Sequence, residues 1–471
     1  MALPTTECGV LVVGSGNAGF SAAVSAAETK VGDRKPTILL IDKCPEDWVG
    51  GNSYFTAGAY RTAHDGLADV LPLVNNVSAE QAAKIDLAPY TTEDFQKDMD
   101  NVCMGRSDQD LARVLISDSR TTIQRLKENG IRFQLSFNRQ AYEVDGRIKF
   151  CGGLCLKTDN GGKGLIEEHI AAAQKSCVLM SWNTGLTRVQ RQTTNSGHRY
   201  SATVLVDGQE STISAKSIIF AAGGFESNPK LRSQHLGPGW DMAMDANADP
   251  SIGDRDASNE YTKSGYPLGL MLNVEGNRFV DEGIAMRNYT YAKFGRAILQ
   301  QPDHEYRPER LNENRFTADT IEDLADVLSK NGLRDRDGFV LALNEYNEAV
   351  YAFQRENSSA KWDPSILDGV STQSKTKKPA LAKSNWALPM EQGPFLAVKV
   401  TCGVTFTFGG LKVDPETAAL ISATTRRTIP GLFCVGEMMG GLFYENHPGG
   451  SGLTSGAVFG RRAGRAAAGT S

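Results

Sequence analysis

The chain opens with an apolar run, Val10 to Val13, that leads directly into a glycine cluster. Small residues follow the cluster and suit a helix that packs closely on a sheet. In such a turn Gly14 permits the bend, Gly16 lets a pyrophosphate approach the backbone, and Gly19 lets helix and strand pack closely. N–H groups at the helix start then face the phosphates. The predicted pyrophosphate-binding residues are Gly14, Ser15, Gly16, Asn17, Ala18 and Gly19.

A second β-branched run, Thr37 to Ile41, ends in Asp42. An acid about 20 residues past such glycines binds an adenosine ribose hydroxyl in dinucleotide-binding folds. We therefore predict that Asp42, with the adjacent Lys43, belongs to the cofactor site. The alternative is an ordinary strand–helix–strand unit that holds no ligand.

Glycine-rich segments return three times later in the chain. Gly50-Gly51-Asn52-Ser53 can lie against a planar ligand or a phosphate, although a plain surface turn has the same composition. An apolar strand that begins at Ser217 runs into Ala221 and Gly223, and we place its end close to the ligand. The loop Pro448 to Leu453 precedes the last helix and provides a second helix start for a polar or anionic group.

Length and charge narrow the class of protein. The 471 residues exceed one typical domain, so two or three are expected. A net charge of −5 argues against nucleic acid as the main partner. No run of about 18 apolar residues exists, so no membrane span is predicted. Met1 to Gly9 lacks the pattern of a secretory signal, and the eight cysteines contain no CxxC, so we expect a soluble cytoplasmic protein with reduced thiols and no metal site.

The fold class follows from the order of these segments. Apolar strands with glycine turns occupy the two ends of the chain, whereas the middle is more polar and has few apolar strands. We predict an α/β protein in which residues 1–240 and 395–471 form a Rossmann-like domain with a mixed or parallel sheet. Residues 241–394 form an inserted α+β domain.

With these segments in view, the chain resembles the fumarate reductase/succinate dehydrogenase flavoprotein family. Its motifs are most similar to those of the soluble members that look like tricarballylate dehydrogenase. The resemblance runs nearly end to end and implies bound FAD with a capping domain over the flavin. It rests on Gly14 to Gly19, Gly50 to Ser53, Phe220 to Phe225, Arg278 to Glu282, Gly436-Glu437 and Pro448 to Leu453.

The resemblance also implies which residues face the cofactor. The flavin-facing positions of the family fall on Gly50, Gly51, Asn52, Ser53, Gly436, Glu437, Ser451, Gly452 and Leu453. Membrane-complex relatives attach FAD through a histidine whose matching position here is Asn52. Because asparagine cannot form that bond, the FAD is expected to be non-covalent.

In the fumarate reductase branch a cap arginine passes the proton while flavin N5 passes the hydride. By motif this arginine falls on Arg287, and its planar fork suits a carboxylate-bearing substrate. The alternative is a surface arginine in a salt bridge. Tyr289 and Tyr444 flank the key positions and are candidate hydroxyl donors, with simple packing as the alternative.

Two substrate positions depart from the fumarate reductase pattern. Phe406, next to Thr405, replaces a histidine that holds a substrate carboxylate, and His447 replaces an arginine. We expect Phe406 to form an apolar wall. His447 is the best of the six histidines for proton work or substrate binding, with a structural histidine as the alternative. His64 follows the second glycine loop and could also reach the substrate.

The segment from Asp245 to Arg255 is shorter than in the relatives, which implies a remodelled cap junction or a more open site.

The leading prediction is an FAD-dependent oxidoreductase acting on CH–CH groups. It moves a hydride between flavin N5 and a carbon next to a carboxylate or carbonyl of a tricarballylate-like metabolite, in either direction. The alternatives are a flavoprotein subunit serving an electron-transfer partner, an FAD-binding protein with impaired catalysis, and an NAD dehydrogenase without flavin absorbance.

Overall fold

The computed structural model describes residues 3–30, 32, 35–150, 152–194, 197–236, 255, 265–302, 315–400, 403–405 and 407–469. The described residues fall into two compact units. The first unit comprises those of Met1–Gln140, Gly152–Thr262 and Val404–Ser471. The second unit comprises those of Ala141–Cys151 and Lys263–Gly403.

Apolar, β-branched runs form the strands. Their bounds are β1 Glu7–Val13, β2 Ile38–Ile41, β3 Ala59–Tyr60, β4 Ile85–Asp86, β5 Phe133–Leu135, β6 Ala141–Val144, β7 Arg147–Phe150, β8 Leu156–Thr158, β9 Leu179–Ser181, β10 Thr184–Thr194, β11 Gly197–Val206, β12 Gln209–Phe220, β13 Arg315–Ala318, β14 Phe395–Val398, β15 Ala419–Ile421 and β16 Thr428–Cys434.

The helices alternate with these strands. Their bounds are α1 Asn17–Glu28, α2 Asn52–Phe55, α3 Leu67–Val70, α4 Ala79–Ala82, α5 Thr92–Val102, α6 Gln109–Glu128, α7 Phe137–Gln140, α8 Gly161–Lys175, α9 Pro229–Leu236, α10 Arg287–Leu299, α11 Ile321–Ser329, α12 Arg336–Glu356 and α13 Ser451–Gly469. Short 3₁₀ turns cover Glu46–Trp48, Leu71–Leu73 and Gly436–Met438.

The first unit is built on one mixed sheet with a parallel centre. β9, β2, β1, β12 and β16 pair in parallel in that spatial order. The β10–β11 hairpin and β15 extend the sheet through antiparallel pairs. β1 and β2 are almost wholly buried, which is typical of strands covered by helices on both faces. The predicted mixed α/β fold class is confirmed.

One strand differs from the sequence expectation. Val178 to Met180 is a short apolar run followed by further short apolar and polar runs, a pattern that predicts a small antiparallel set of strands. In the structure β9 instead pairs in parallel with β2, with Leu39 opposite Leu179. The reason is that α8 directly precedes β9 and packs beside α1, so the chain arrives at the sheet edge in the parallel direction.

Small residues bring the last helix onto the first. Gly456, Gly460 and Gly464 repeat every four residues and so share one face of α13. A Cβ on Gly460 would lie 2.6 Å from the carbonyl oxygen of Ala18, and one on Gly464 would overlap that of Ala22. The close α1–α13 contact therefore depends on glycine, and it holds the C-terminal helix against the helix that follows the glycine turn.

The second unit has its own core. Ile321, Leu324 and Phe339 of α11 and α12 are buried there, with the antiparallel β13–β14 pair packed against them. Arg315 lies opposite Val398 in that pair, so the chain through β14 belongs to this unit. The unit accordingly runs to residue 403 and includes 141–151, whereas the sequence places the domain boundaries at 241 and 394.

In the part of the chain that the structure describes, no helix is both long enough and apolar enough to span a bilayer.

Candidate active site

Three parallel strands of the first unit end near one another at the carboxyl edge of the sheet. Gly14 follows β1 with a φ of +108°, and a Cβ there would collide with the backbone of Ala221 after β12. A Cβ on Gly19 would collide with the carbonyl of Gly14. On Gly16 it would meet no described atom closer than 3.5 Å. The turn therefore has no room for a side chain at Gly14 and Gly19, where the helix and strands pack. At Gly16 there is free space, which a bound phosphate requires.

Asp42 ties the end of β2 to this turn. Its Oδ2 accepts hydrogen bonds from the backbone N–H of Ser15 at 2.8 Å and from Ser15 Oγ at 2.6 Å. Its Oδ1 accepts from the N–H of Cys44 at 2.9 Å. Ser15 Oγ in turn accepts from the N–H of Gly50 at 3.3 Å. Lys43 is exposed. Asp42 therefore shapes the turn in addition to its predicted ribose contact.

Asn17 joins the glycine turn to two later loops. Its backbone N–H donates to Ser53 Oγ at 3.1 Å, and its Nδ2 donates to the carbonyl of Leu453 at 2.8 Å. Its Oδ1 accepts from the Tyr60 hydroxyl at 2.6 Å and from His169 Nε2 at 3.1 Å. The Asn17 Oδ1 and one hydrogen of its Nδ2 are thus used within the protein, and its contribution to a ligand site is to hold the three loops together.

The second glycine loop fits a ligand that carries hydrogen-bond donors. Gly51, in this loop, has a positive φ angle of 50°, and Gly223, in the segment after β12, has one of 73°. No described atom lies within 4 Å of a Cβ placed on either residue. Asn52 Nδ2 donates to the Thr405 carbonyl at 3.1 Å and to Glu226 Oε1. Asn52 Oδ1 is buried and accepts no hydrogen bond within the described chain. A buried acceptor of this kind calls for a hydroxyl or N–H from a ligand.

Glu226 is a site residue that the sequence reasoning missed. It is 2% exposed and lies beside the predicted cofactor residue Glu437. Desolvation and Glu226 raise the pKa of Glu437 well above its usual range, and desolvation raises the pKa of Glu226. The signal in the sequence is a carboxylate two residues past the Gly223-Gly224 pair, where polar groups approach a ligand.

Arg61 is a second residue that was missed, and it holds the last glycine loop. The side chain is fully buried, and its Nε donates to the Gly449 carbonyl at 2.9 Å. Its Nη1 donates to the Tyr90 hydroxyl and to Asp98 Oδ2, both at 2.7 Å. The Thr454 hydroxyl, on the first turn of α13, donates to the Arg61 carbonyl at 2.8 Å. Hydrogen bonds thus connect the start of α13 to the chain after β3.

His447 lies next to this loop as a neutral imidazole. Burial, with a smaller contribution from Arg61, lowers its pKa to about 3. The ring packs against Phe408 and Phe443, with centroids 6.2 and 5.5 Å away, and its Nε2 lies 3.6 Å from where a Cβ on Gly452 would be. The ring therefore carries no positive charge at neutral pH, and imidazolium acid catalysis by His447 does not fit this environment.

His64 faces the interior. Its Nδ1 accepts from the N–H of Gly66 at 3.1 Å, and its Nε2 lies 3.6 Å from Cys155 Sγ. Because Nδ1 accepts, Nε2 carries the proton and does not activate the thiol. Burial raises the pKa of Cys155 to about 12 and lowers that of His64. His64 therefore makes these contacts within the first unit, and its substrate contact stays a prediction.

Tyr444 and the start of α13 complete this side of the first unit. The guanidinium carbon of Arg106 lies 4.7 Å from the Tyr444 ring centroid. Ser451 Oγ donates to the carbonyl of Pro448 at 2.6 Å, Gly452 is exposed, and Leu453 binds Asn17 through its carbonyl. Gly436 and Glu437 form the 3₁₀ turn after β16.

The second unit holds the segment of the predicted catalytic arginine. Arg287 is the first residue of α10, but its side chain lies outside the described residues, as do Phe406 and the predicted short segment apart from Arg255. Asn288, the next residue, is 4% exposed, and both its amide atoms lack hydrogen-bond partners among the described residues. Tyr289 packs against a cluster that contains Met286 and Trp386. Asn288 is the third residue that sequence reasoning missed.

Comparison with known proteins assigns this chain to a family. The model of the family described as FAD binding domain matches residues 9–259 and 257–453. The chain therefore belongs to this family of fumarate reductase/succinate dehydrogenase flavoproteins. It is an FAD-dependent oxidoreductase.

Individual relatives are distant but match over nearly the whole chain. A probable fumarate reductase, Ifc3 of Shewanella frigidimarina, is 26% identical over 99% of this chain and 75% of its own. A urocanate reductase of Eggerthella lenta is 24% identical over 98% and 75%. The structure of a 3-ketosteroid delta1-dehydrogenase from Sterolibacterium denitrificans shares the fold, with a TM-score of 0.63, 16% identity and coverage of 99% and 100%.

Proposed function

We propose that the protein interconverts a carbon–carbon double bond and the corresponding CH–CH bond of a small metabolite, next to a carboxylate or carbonyl. The observation that carries this proposal is the meeting of the predicted cofactor loops at one sheet edge, where Asn17 binds Ser53 and Leu453. The relatives include reductases named for fumarate and for urocanate. Both of these compounds contain a carbon–carbon double bond next to a carboxylate.

The residues present fit FAD. Bound FAD supplies the hydride chemistry of the reaction. We assign Gly14 to Gly19 to the pyrophosphate, Asp42 to the ribose, and Asn52, Gly436 and Ser451 to Leu453 to the flavin end. The buried acceptor Asn52 Oδ1 supports a ligand with donor groups. Asn52 has no nucleophilic ring nitrogen, so the proposed attachment is non-covalent.

Arg287 is the proposed group that binds the substrate carboxylate and delivers the proton. Its guanidinium suits planar oxygens, and its position at the first turn of α10 adds the favourable helix end for an anion. His447 is proposed to contact the substrate as a neutral ring. Tyr289 and Tyr444 remain candidate hydroxyl donors, and Thr405 with Phe406 the proposed polar and apolar walls.

Phe406 and neutral His447 stand where the fumarate reductase pattern has charged or polar groups. We therefore favour a substrate that is larger than fumarate, such as a tricarballylate-like compound, or one that is less charged. An electron-transfer partner is the proposed source or sink of the electrons, and the cytoplasm the proposed location.

The experiment begins with the absorbance spectrum of purified protein, where a flavin band is expected. Photoreduced protein is then mixed anaerobically with unsaturated mono-, di- and tricarboxylates and enones, and reoxidation is followed at the flavin band. Arg287→Ala is expected to slow reoxidation by more than about 100-fold with FAD still bound, because one charge-assisted contact and the proton donor are lost.

Arg296→Ala, near the end of the same helix, is the matched control and should reoxidise at the wild-type rate. Equal rates for Arg287→Ala and the control would remove Arg287 from the mechanism. A flavin that no unsaturated compound reoxidises would overturn the proposed reaction.

A further inference from the structure

Two carboxyl groups meet at the carboxyl ends of β12 and β16. A Cβ on Gly224 would overlap both Glu226 Oε2 and Glu437 Oε1, so the two carboxyls approach each other across this glycine. Glu226 is buried, and Glu437 is partly buried. A side chain at residue 224 would therefore have to displace one or both carboxyl groups from these positions.

The hydrogen-bond donors around the pair are unevenly distributed. Asn52 Nδ2 donates to Glu226 Oε1, and the N–H and Oγ1 of Thr407 donate to Glu437 Oε1, the latter at 3.0 Å. Glu226 Oε2 is buried and receives no hydrogen bond from the described side chains or backbone. One donor is missing from the pair, and it is missing on the oxygen that faces Glu437.

The charges around the pair favour one proton. Arg232, which faces Glu226 from α9, donates through Nη1 to the backbone carbonyl of Glu226. Two ionised carboxylates in contact repel each other strongly where water is scarce, whereas an acid–carboxylate pair gains a short hydrogen bond. A proton on Glu437 would give Glu226 Oε2 its missing donor.

We propose that Glu226 and Glu437 share a single proton at neutral pH and, as an acid–carboxylate pair, hold Asn52 and Thr407 in position around the FAD. The pair is a positioning element that links the second glycine loop to the segment after residue 403. This inference rests on the proposed placement of FAD at these loops. Loss of the shared proton at alkaline pH sets two like charges against each other, moves Asn52, and weakens FAD binding.

The test uses the full chain with FAD removed and added back. Infrared spectra at pH 8 of wild-type protein and Glu437→Gln should differ by the carbonyl band of a protonated carboxylic acid. FAD affinity, followed by quenching of flavin fluorescence, should fall about tenfold in the wild type over the alkaline range in which the infrared band of the acid disappears, since one pKa unit of coupling is a factor of ten. Glu437→Gln keeps a donor to Glu226 but has no proton to lose, so its FAD affinity, whatever its value at pH 7, should not change as the pH is raised.

Glu416→Gln removes a negative charge from the surface of the same unit and should follow the wild type at every pH. Absence of the acid band, a flat wild-type affinity, or an alkaline loss in Glu437→Gln equal to that of wild type would each overturn the proposal. An intact band and a pH-dependent FAD affinity in a protein that turns over no unsaturated substrate would support the shared proton and contradict the proposed reaction.

Discussion

Asn288 buries a carboxamide whose donor and acceptor both lack partners among the described residues. Burying such a group without hydrogen bonds costs about 1–3 kcal/mol. A helix-start residue beside Arg287 that accepts this cost is best explained by a ligand. We infer that the Asn288 amide binds the substrate that Arg287 is proposed to hold.

Asn288→Leu is expected to stabilise the free protein by about 1 kcal/mol, because it replaces unpaired polar atoms with an apolar group of similar shape. The same change should raise KM for the substrate. Thermal unfolding and steady-state kinetics measure the two effects. Higher stability with an unchanged KM would contradict the ligand contact.

Asn347→Leu is the matched control in the same unit. Asn347 is also buried, but its Nδ2 donates to the Met390 carbonyl at 3.0 Å and its Oδ1 accepts from the Met390 N–H at 2.7 Å. Removing these bonds leaves two backbone groups unpaired and should lower the stability by about 2 kcal/mol. A similar loss in both variants would show that Asn288 is satisfied within the protein.

At the scale of elements, Arg61 connects the end of β3 to the loop before α13. Arg61→Met removes the partner of the Gly449 carbonyl and the charge partner of Asp98, which is 19% exposed and keeps the Tyr90 hydroxyl as a donor. Breaking a fully buried ion pair from one side costs about 3–5 kcal/mol; because Asp98 is partly exposed we expect a loss of about 2–3 kcal/mol, and the first unit should unfold at a lower denaturant concentration. The loop before α13 should also bind FAD more weakly.

The control for this prediction is Arg113→Met. Arg113 pairs with Glu416 at 3.0 Å, but its side chain is 58% exposed. Exposed ion pairs contribute about 0–1 kcal/mol, so little change is expected in urea unfolding or in FAD titration. If Arg61→Met were as stable as this control, the Arg61 side chain would not stabilise the loop before α13.

At the scale of the whole molecule, two buried histidines make the free energy of unfolding depend on pH in the acidic range. Burial lowers the pKa of His169 and of His447 to about 3, against an ordinary value of 6.5. The unfolded chain takes up these protons below pH 6.5 and the folded chain does not until about pH 3. The free energy of unfolding therefore falls as the pH drops from 6.5 toward 3, by about 1.4 kcal/mol per pH unit for each histidine.

His169→Gln keeps a donor for Asn17 Oδ1 and removes one of these titrations. Between pH 7.5 and 5.0 the variant should lose about 2 kcal/mol less stability than wild type in urea unfolding, since the difference accumulates only below pH 6.5. Parallel curves for His169→Gln and wild type would show that His169 does not titrate with folding.

Elements with strong local signals were predictable. Helices over α5 and α6 follow from acidic starts, which the structure shows as a capping box at Thr91 and a cap at Asp108. The glycine turn after β1 was predictable because its function depends on backbone geometry that only glycine permits. Strand direction was harder, as β9 shows, because pairing depends on where the preceding helix packs.

Two of the three missed residues, Arg61 and Glu226, have partners that are remote in sequence. Arg61 binds the carbonyl of Gly449, and Glu226 meets Glu437. His447 looked suited to proton transfer because its ordinary pKa is near neutral, but burial removes its charge. No local pattern contains these facts, since burial and long-range contact arise only when the chain has packed.

The sequence by itself determined the class of protein. The glycine turn, Asp42 and the later glycine loops specify an FAD-binding α/β fold, because backbone conformation and strand periodicity are local properties of the chain. Only the tertiary structure decided how the loops are joined and charged. It placed Asn17 between three loops, set Glu226 against Glu437 and left His447 neutral, because hydrogen bonding and desolvation depend on which groups packing brings together.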